Sequence, residues 1–220
     1  MTEVDHLVIA ADSLAQGVAW CEEVLGVTPG PGGKHPLMST HNRLLRLGGE
    51  FGNAYLEIIA IDPDAPPPGR ARWFGLDRPA LQAALRESPR LVQLVARTSQ
   101  VEMLRWGLIN RGIDPGQPLA AERPTPEGLL QWRIAVRDDG ENACEGLLPT
   151  LIEWNGRHPT EVMPVSPLTL AQVTLAGLPP AAIELLRLRG VYTPAAGEAA
   201  PGLRVVLDTP RGRVEWESFR

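Results

Sequence analysis

"DHLVIAADSLAQGVAWCEEVLG", residues 5–26, decides how the rest of the chain is read. Its first seven residues are an apolar, β-branched run that reads as a buried strand. Asp12 and Ser13 can then cap a helix beginning near Leu14. Leu14, Val18, Cys21 and Leu25 recur at helical spacing, and Gly26 suits the helix C-terminus. A Gly/Pro loop, "VTPGPGGKHP", follows. "THNRLLRLGG" and "NAYLEIIAIDP" read as strands, the second stopped by Pro63. The order is strand, helix, strands.

The same order returns further on. "LVQLVARTS" at residues 91–99 reads as a strand and "QVEMLRWGLINRG" as a helix ending at Gly112. "GLLQWRIAVRDD" and "LLPTLIEWN" read as further strands. Trp20 and Trp106 lie 86 residues apart, as do Gly26 and Gly112. Glu57 in "YLEI" and Glu153 in "LIEW" occupy similar places in the closing strands. These landmarks point to a duplicated βαβββ module. The expected organisation is a first module over 1–64, a linker with a short helix over 65–90, and a second module over 91–163. A C-terminal βαββ extension over 164–220 resembles a truncated third copy, with "TPRG" as the turn between its last strands. The extension is expected to pack on the main domain.

Composition narrows the function. The 220 residues are 44% hydrophobic with a net charge of −5, an ordinary globular balance. Without a basic run, nothing calls for nucleic acid or an anionic membrane as partner. The N-terminus has no basic region of the signal-peptide kind, and no apolar run approaches a membrane span, so a soluble cytoplasmic protein is expected. Cys21 and Cys144 are too few for a disulfide framework or zinc ribbon. GxSxG, P-loop, GxGxxG, CxxC and HExxH motifs are absent.

A duplicated βαβββ unit with His6 on its first strand and Glu57 on its last resembles the vicinal oxygen chelate superfamily. The pattern "GGKHPLMSTHNRLLRLG…YLEIIAIDP", followed by "LIEWNGRHP", is similar to its glyoxalase-like domain branch. The resemblance spans roughly residues 4 to 160. It implies an α+β fold in which paired βαβββ modules form a curved mixed sheet around a cavity. It also implies a divalent metal ion held by residues of the first and last strands. His6, Glu57 and Glu153 match three such positions. The fourth is missing, because the 86-residue offset carries His6 onto Val92, beside Gln93. Strand parity puts His6, Val8 and Ala10 on one face, and Tyr55, Glu57, Ile59 and Ile61 on one face.

Other side chains are candidates for the pocket wall. His35, Thr40, His41 and Asn42 would form a polar wall, although parity sends His41 away from Thr40 and Asn42. Trp154 would add an aromatic surface, and His158 follows the second acidic strand. Each candidate has a plainer alternative. His6 fits a hydrogen-bonded core histidine, the two glutamates could pair with Arg43, Arg46 or Arg133, and the remaining histidines fit surface turns.

The resemblance implies a metal-dependent lyase or isomerase that stabilises an enolate of a small oxygen-rich substrate, with Glu153 as catalytic base. The alternative is a binding protein of the same fold that sequesters a small molecule. An open edge strand of the second module would be available for a homodimer.

Overall fold

In the computed structural model, which describes residues 2–219, the N-terminal apolar run is β1 (Thr2–Ala10). Ser13 caps α1 (Leu14–Trp20), its side chain accepting the Gln16 N–H at 3.2 Å. The helix runs on through a π-turn at Cys21–Leu25 and ends on Gly26, which takes the left-handed conformation glycine adopts without strain. The first module continues with β2 (Lys34–His35), β3 (Thr40–Arg46) and β4 (Tyr55–Ile61). The segment between modules holds a helical turn at Trp73–Gly75 and α2 (Pro79–Glu87). The second module is β5 (Arg90–Arg97), α3 (Val101–Ile109), β6 (Gln117–Thr125), β7 (Gly128–Val136) and β8 (Thr150–Asn155). The C-terminal region comprises β9 (Thr169–Ala176), α4 (Pro180–Leu186), β10 (Leu188–Arg189), β11 (Val191–Tyr192), β12 (Gly202–Thr209) and β13 (Gly212–Glu217).

The two modules share one topology. The main sheet runs β2-β3-β4-β1-β5-β8-β7-β6, so each module's first strand lies beside its last, in parallel. The halves join through the antiparallel pair β1–β5. At the two ends of the sheet, β2 and β6 approach one another, so the sheet curls into a bowl. The fold is therefore α+β, built on paired βαβββ modules.

Alternate residues of the strands feed two apolar clusters. Leu7, Ile9, Leu56, Ile58, Leu94 and Leu151 pack on the helix-bearing outer face. Val8, Ala10, Ile59, Val95, Ile134 and Ile152 line the inside of the bowl with Trp73 and Phe74. The inter-module segment therefore places two aromatic side chains over the inner face.

The C-terminal strands form a second sheet, ordered β11-β9-β12-β13, whose Leu170, Val173, Leu203, Val205 and Leu207 join the outer cluster. Its pairing differs from that of a shortened module. After α4 the chain first adds β10 to β1 of the main sheet, and the short β11 then becomes the parallel neighbour of β9, with β12 its antiparallel one. "TPRG" is the turn of the β12–β13 hairpin, with Thr209 opposite Gly212. Among the described residues, no helix is long and apolar enough to cross a membrane.

Candidate functional site

The site begins with an irregularity in β1. Val4 pairs with Ala96 and His6 with Val95, which leaves Asp5 as an extra residue in the ladder. Such a bulge re-aims side chains that strict alternation would separate. Asp5 and His6 consequently meet, with His6 Nδ1 2.6 Å from Asp5 Oδ1. The other carboxylate oxygen, Oδ2, accepts from Trp154 Nε1 and from His158 Nε2, both at 3.0 Å. His158 Nδ1 faces the Thr160 backbone N–H at 3.3 Å, which assigns the donor role to Nε2. Burial by itself would push the Asp5 carboxyl up. The hydrogen bonds from His158 and His6 outweigh it and hold Asp5 well below the usual carboxylate range.

A fixed Asp5 carboxylate orients the imidazole of His6. Nδ1–H donates to it, and Nε2 is left facing the bowl. Tyr55 stacks on the ring at 4.5 Å between centroids. Across the cavity, Glu57 Oε2 lies 3.6 Å from His6 Nε2, and Glu57 Oε1 accepts from Asn42 Nδ2 at 2.5 Å.

Asn42 is positioned from the preceding loop. Its Oδ1 accepts the Gly33 N–H at 2.8 Å. Gly32 passes so close that a Cβ there would sit 2.1 Å from the Asn42 carbonyl oxygen, a contact only glycine allows. His35 extends the network: Nδ1 is 3.1 Å from Thr40 Oγ1, and Nε2 is 3.4 Å from Asn42 Nδ2. Burial, together with the nearby charge of Arg123, pushes the His35 imidazole down to about 3, so it is neutral. His41 points elsewhere, as parity requires, with Nδ1 3.9 Å from Asp62.

Glu153 corrects the expectation placed on it. It does not meet His6 and Glu57. Its neighbours Ile152 and Trp154 face the bowl, and Glu153 faces the helices. There its Oε2 accepts the Val101 N–H at the start of α3 at 3.1 Å and Arg133 Nη2 at 3.0 Å. A carboxylate suits a helix N-terminus. The matching module-two face carries Val92, Val95, Ile152 and Trp154 in place of ligands. Gln93, the remaining candidate for the missing fourth position, is spent on the Leu148 carbonyl and Thr150 hydroxyl.

These placements bear on a metal. Both oxygens of Asp5, Nδ1 of His6 and Nε2 of His158 are consumed by one another. His6 Nε2 and Glu57 Oε2 remain, fewer donors than the expected set. Among the described residues, no three His, Cys, Asp or Glu side chains converge to hold a metal ion. The residues present do not fit the three-donor centre.

Two contributors escaped the sequence reading. Asp5 was hidden by the bulge, which no residue pattern announces. Arg123 lies on β6, a strand whose Pro118 and Pro124 disguise it and are tolerated because it ends the sheet. A signal existed. "TPEG", residues 125–128, is the turn of the β6–β7 hairpin and has the form of "TPRG".

The inner cavity is small, about 30 Å³, and is bounded by His6, His35, Asn42, Glu57, Arg123 and Trp154 among others. A larger cleft of about 790 Å³ shares His35, Trp73, Trp132 and Trp154 with it and opens outward.

No curated protein matches the chain. Among solved structures, a hypothetical protein from Staphylococcus aureus aligns with 99% of this chain and 85% of its own, at 13% identity and a TM-score of 0.58, a likeness of fold. A variant of methylmalonyl-CoA epimerase from Streptomyces coelicolor, in complex with 2-nitronate-propionyl-CoA, aligns with 70% of this chain and 96% of its own. Its identity is 16% and its TM-score 0.43. The methylmalonyl-CoA epimerase of Mycobacterium tuberculosis aligns with 69% and 85%, at 15% identity and a TM-score of 0.39. The family model described as "Glyoxalase-like domain" matches residues 4–188, most of the chain and both modules, and the chain belongs to that family.

Proposed function

We propose that the chain is an acid–base enzyme of the isomerase or lyase type, acting on a small oxygen-rich molecule. His6 moves the proton and Asp5 holds His6 in place. The supporting observation is the buried Asp5–His6 pair, with Nε2 turned toward a cavity that also holds Glu57. A C–H next to a carbonyl, placed against Nε2, can lose its proton to that nitrogen. The Asp5 carboxylate then offsets the charge of the imidazolium. Glu57 lies close enough to share the proton. Its return to a different atom completes an isomerisation, and loss of a neighbouring leaving group completes an elimination. The metal that the family resemblance implies does not fit the donors present, and no step is routed through one.

The test is deuterium exchange. Wild-type protein in D2O, offered a panel of α-hydroxy ketones and α-hydroxy aldehydes, is expected to exchange the α-proton of at least one, read by proton NMR. His6→Gln is expected to lower that rate by ~10²–10⁴-fold. Exchange no faster than in buffer on every compound would sink the proposal. Saturable binding without exchange would favour the sequestering alternative, which the aromatic cleft of about 790 Å³ also suits.

A further inference from the structure

Arg123 is buried, 8% exposed, on the inward face of β6. It bounds the same small cavity as His6, Asn42, Tyr55 and Glu57. Among the described residues, no protein group lies within hydrogen-bond or ion-pair distance of its guanidinium, which faces the cavity. The other buried arginine, Arg105, shows the usual arrangement: its Nε donates to the Gly116 carbonyl and its guanidinium lies over Trp106. Asp5 is engaged by His6, His158 and Trp154, and Glu57 by Asn42 through Oε1 while its Oε2 faces His6 Nε2, so neither carboxylate is bonded to Arg123. A guanidinium held at the cavity wall with no protein group hydrogen-bonded to it keeps its donors free for an anion that enters. Gly33 lies against it, where a Cβ would come within 2.3 Å of Arg123 Nη1.

We propose that this cavity takes a small carboxylate, held by Arg123, with the flat apolar body of the molecule lying against Trp73, Trp132 and Trp154. A guanidinium matches a carboxylate through two parallel hydrogen bonds. The inner space of about 30 Å³ suits a head group, and the adjoining cleft of about 790 Å³ suits the body. This deepens the acid–base reading and rests on it for the position of the reacting carbon. A carboxylate anchored on module two presents the rest of the molecule to His6 and Glu57 on module one.

The experiment compares benzoate and phenylacetate with their neutral amides, benzamide and phenylacetamide. Affinities are read by tryptophan fluorescence and ligand-observed NMR. Each acid is expected to bind at least about tenfold more tightly than its amide. Arg123→Gln is expected to bring each pair to within about twofold of one another without altering amide affinity. Arg123→Lys keeps the charge but not the planar fork, and its ratio is expected to fall at least about threefold, which serves should the glutamine variant not fold. Equal affinity for acid and amide in the wild type, no binding of any probe, or a ratio that survives both substitutions overturns the proposal. His6→Gln separates the two readings. The variant is expected to lose exchange and keep the acid preference, whereas an acid preference in wild-type protein that exchanges no α-proton leaves the anchor standing and removes only the catalytic assignment.

Discussion

The two halves of the bowl share a backbone and differ in what they point inward. Module one presents His6, Asn42, Tyr55 and Glu57 from β1, β3 and β4. Module two presents Val95, Trp132, Ile134, Ile152 and Trp154 from β5, β7 and β8, with Arg123 alone carrying charge. The contrast is sharpest at the two glutamates. Glu57 lies opposite Leu44 in the β3–β4 ladder and faces inward; Glu153 lies opposite Arg133 in the β7–β8 ladder and faces outward. The motifs "YLEI" and "LIEW" look equivalent, yet a one-residue difference in phase reverses which face a side chain occupies. Duplication preserved the scaffold and left reactive groups in one half, with apolar surface in the other.

The largest expected effect contrasts these glutamates directly. Glu57→Gln is expected to lower the deuterium exchange rate by ~10²-fold or more, since it removes the carboxylate facing His6 Nε2. Glu153→Gln is expected to leave the rate within about twofold, because its carboxylate serves α3 and Arg133. Equal losses in both variants would dissolve the asymmetry between the modules.

Stability gives the next comparison. Asp5→Ala strands the donors on His6, His158 and Trp154, and is expected to cost ~3–5 kcal/mol. Trp132→Ala opens a void in the apolar half and is expected to cost a similar ~3–5 kcal/mol. The causes separate on adding the conservative change: Asp5→Asn keeps an acceptor for His158 and Trp154 and should recover part of the loss in urea denaturation. No recovery would mean that shape rather than hydrogen bonding matters at position 5.

What the sequence conveyed follows from the same contrast. Periodicity exposes a strand or helix whose pattern is regular, so the βαβββ order and the inward placing of His6 and Glu57 were legible. Two things were not. The bulge at Asp5 is a property of the ladder between β1 and β5, and no single strand shows it. The strand β6 carries two prolines that an end position tolerates, so neither it nor Arg123 stood out. The phase of Glu153 failed for a related reason, because fixing a face needs the partner strand's register.

A smaller effect tests the neutral network of module one. The His35 imidazole titrates at about 3 in the fold against 6.5 in the unfolded chain. Between those values the unfolded state binds more protons, so stability is complete above the upper value and falls as the pH drops toward the lower one. About 1–2 kcal/mol should be lost between neutral pH and about pH 5, and His35→Gln should flatten that part of the profile. An unchanged slope in the variant would mean that His35 is charged or solvated.

The smallest effect concerns Glu153 again, now for stability alone. Its carboxylate accepts the Val101 N–H and pairs with Arg133, whose side chain is about half exposed. A carboxylate at a helix N-terminus and a solvent-screened ion pair together contribute about 1 kcal/mol. Glu153→Gln keeps an oxygen for the amide and loses only the charge, so a destabilisation below about 1 kcal/mol is expected, shrinking as salt is added. Adding chelator should leave the denaturation midpoint of wild type and variant alike, because among the described residues neither glutamate joins a cluster of three metal-ligating side chains. A chelator-induced loss of stability that Glu153→Gln abolishes would instead restore this residue as a ligand and bring the two modules back to equivalence.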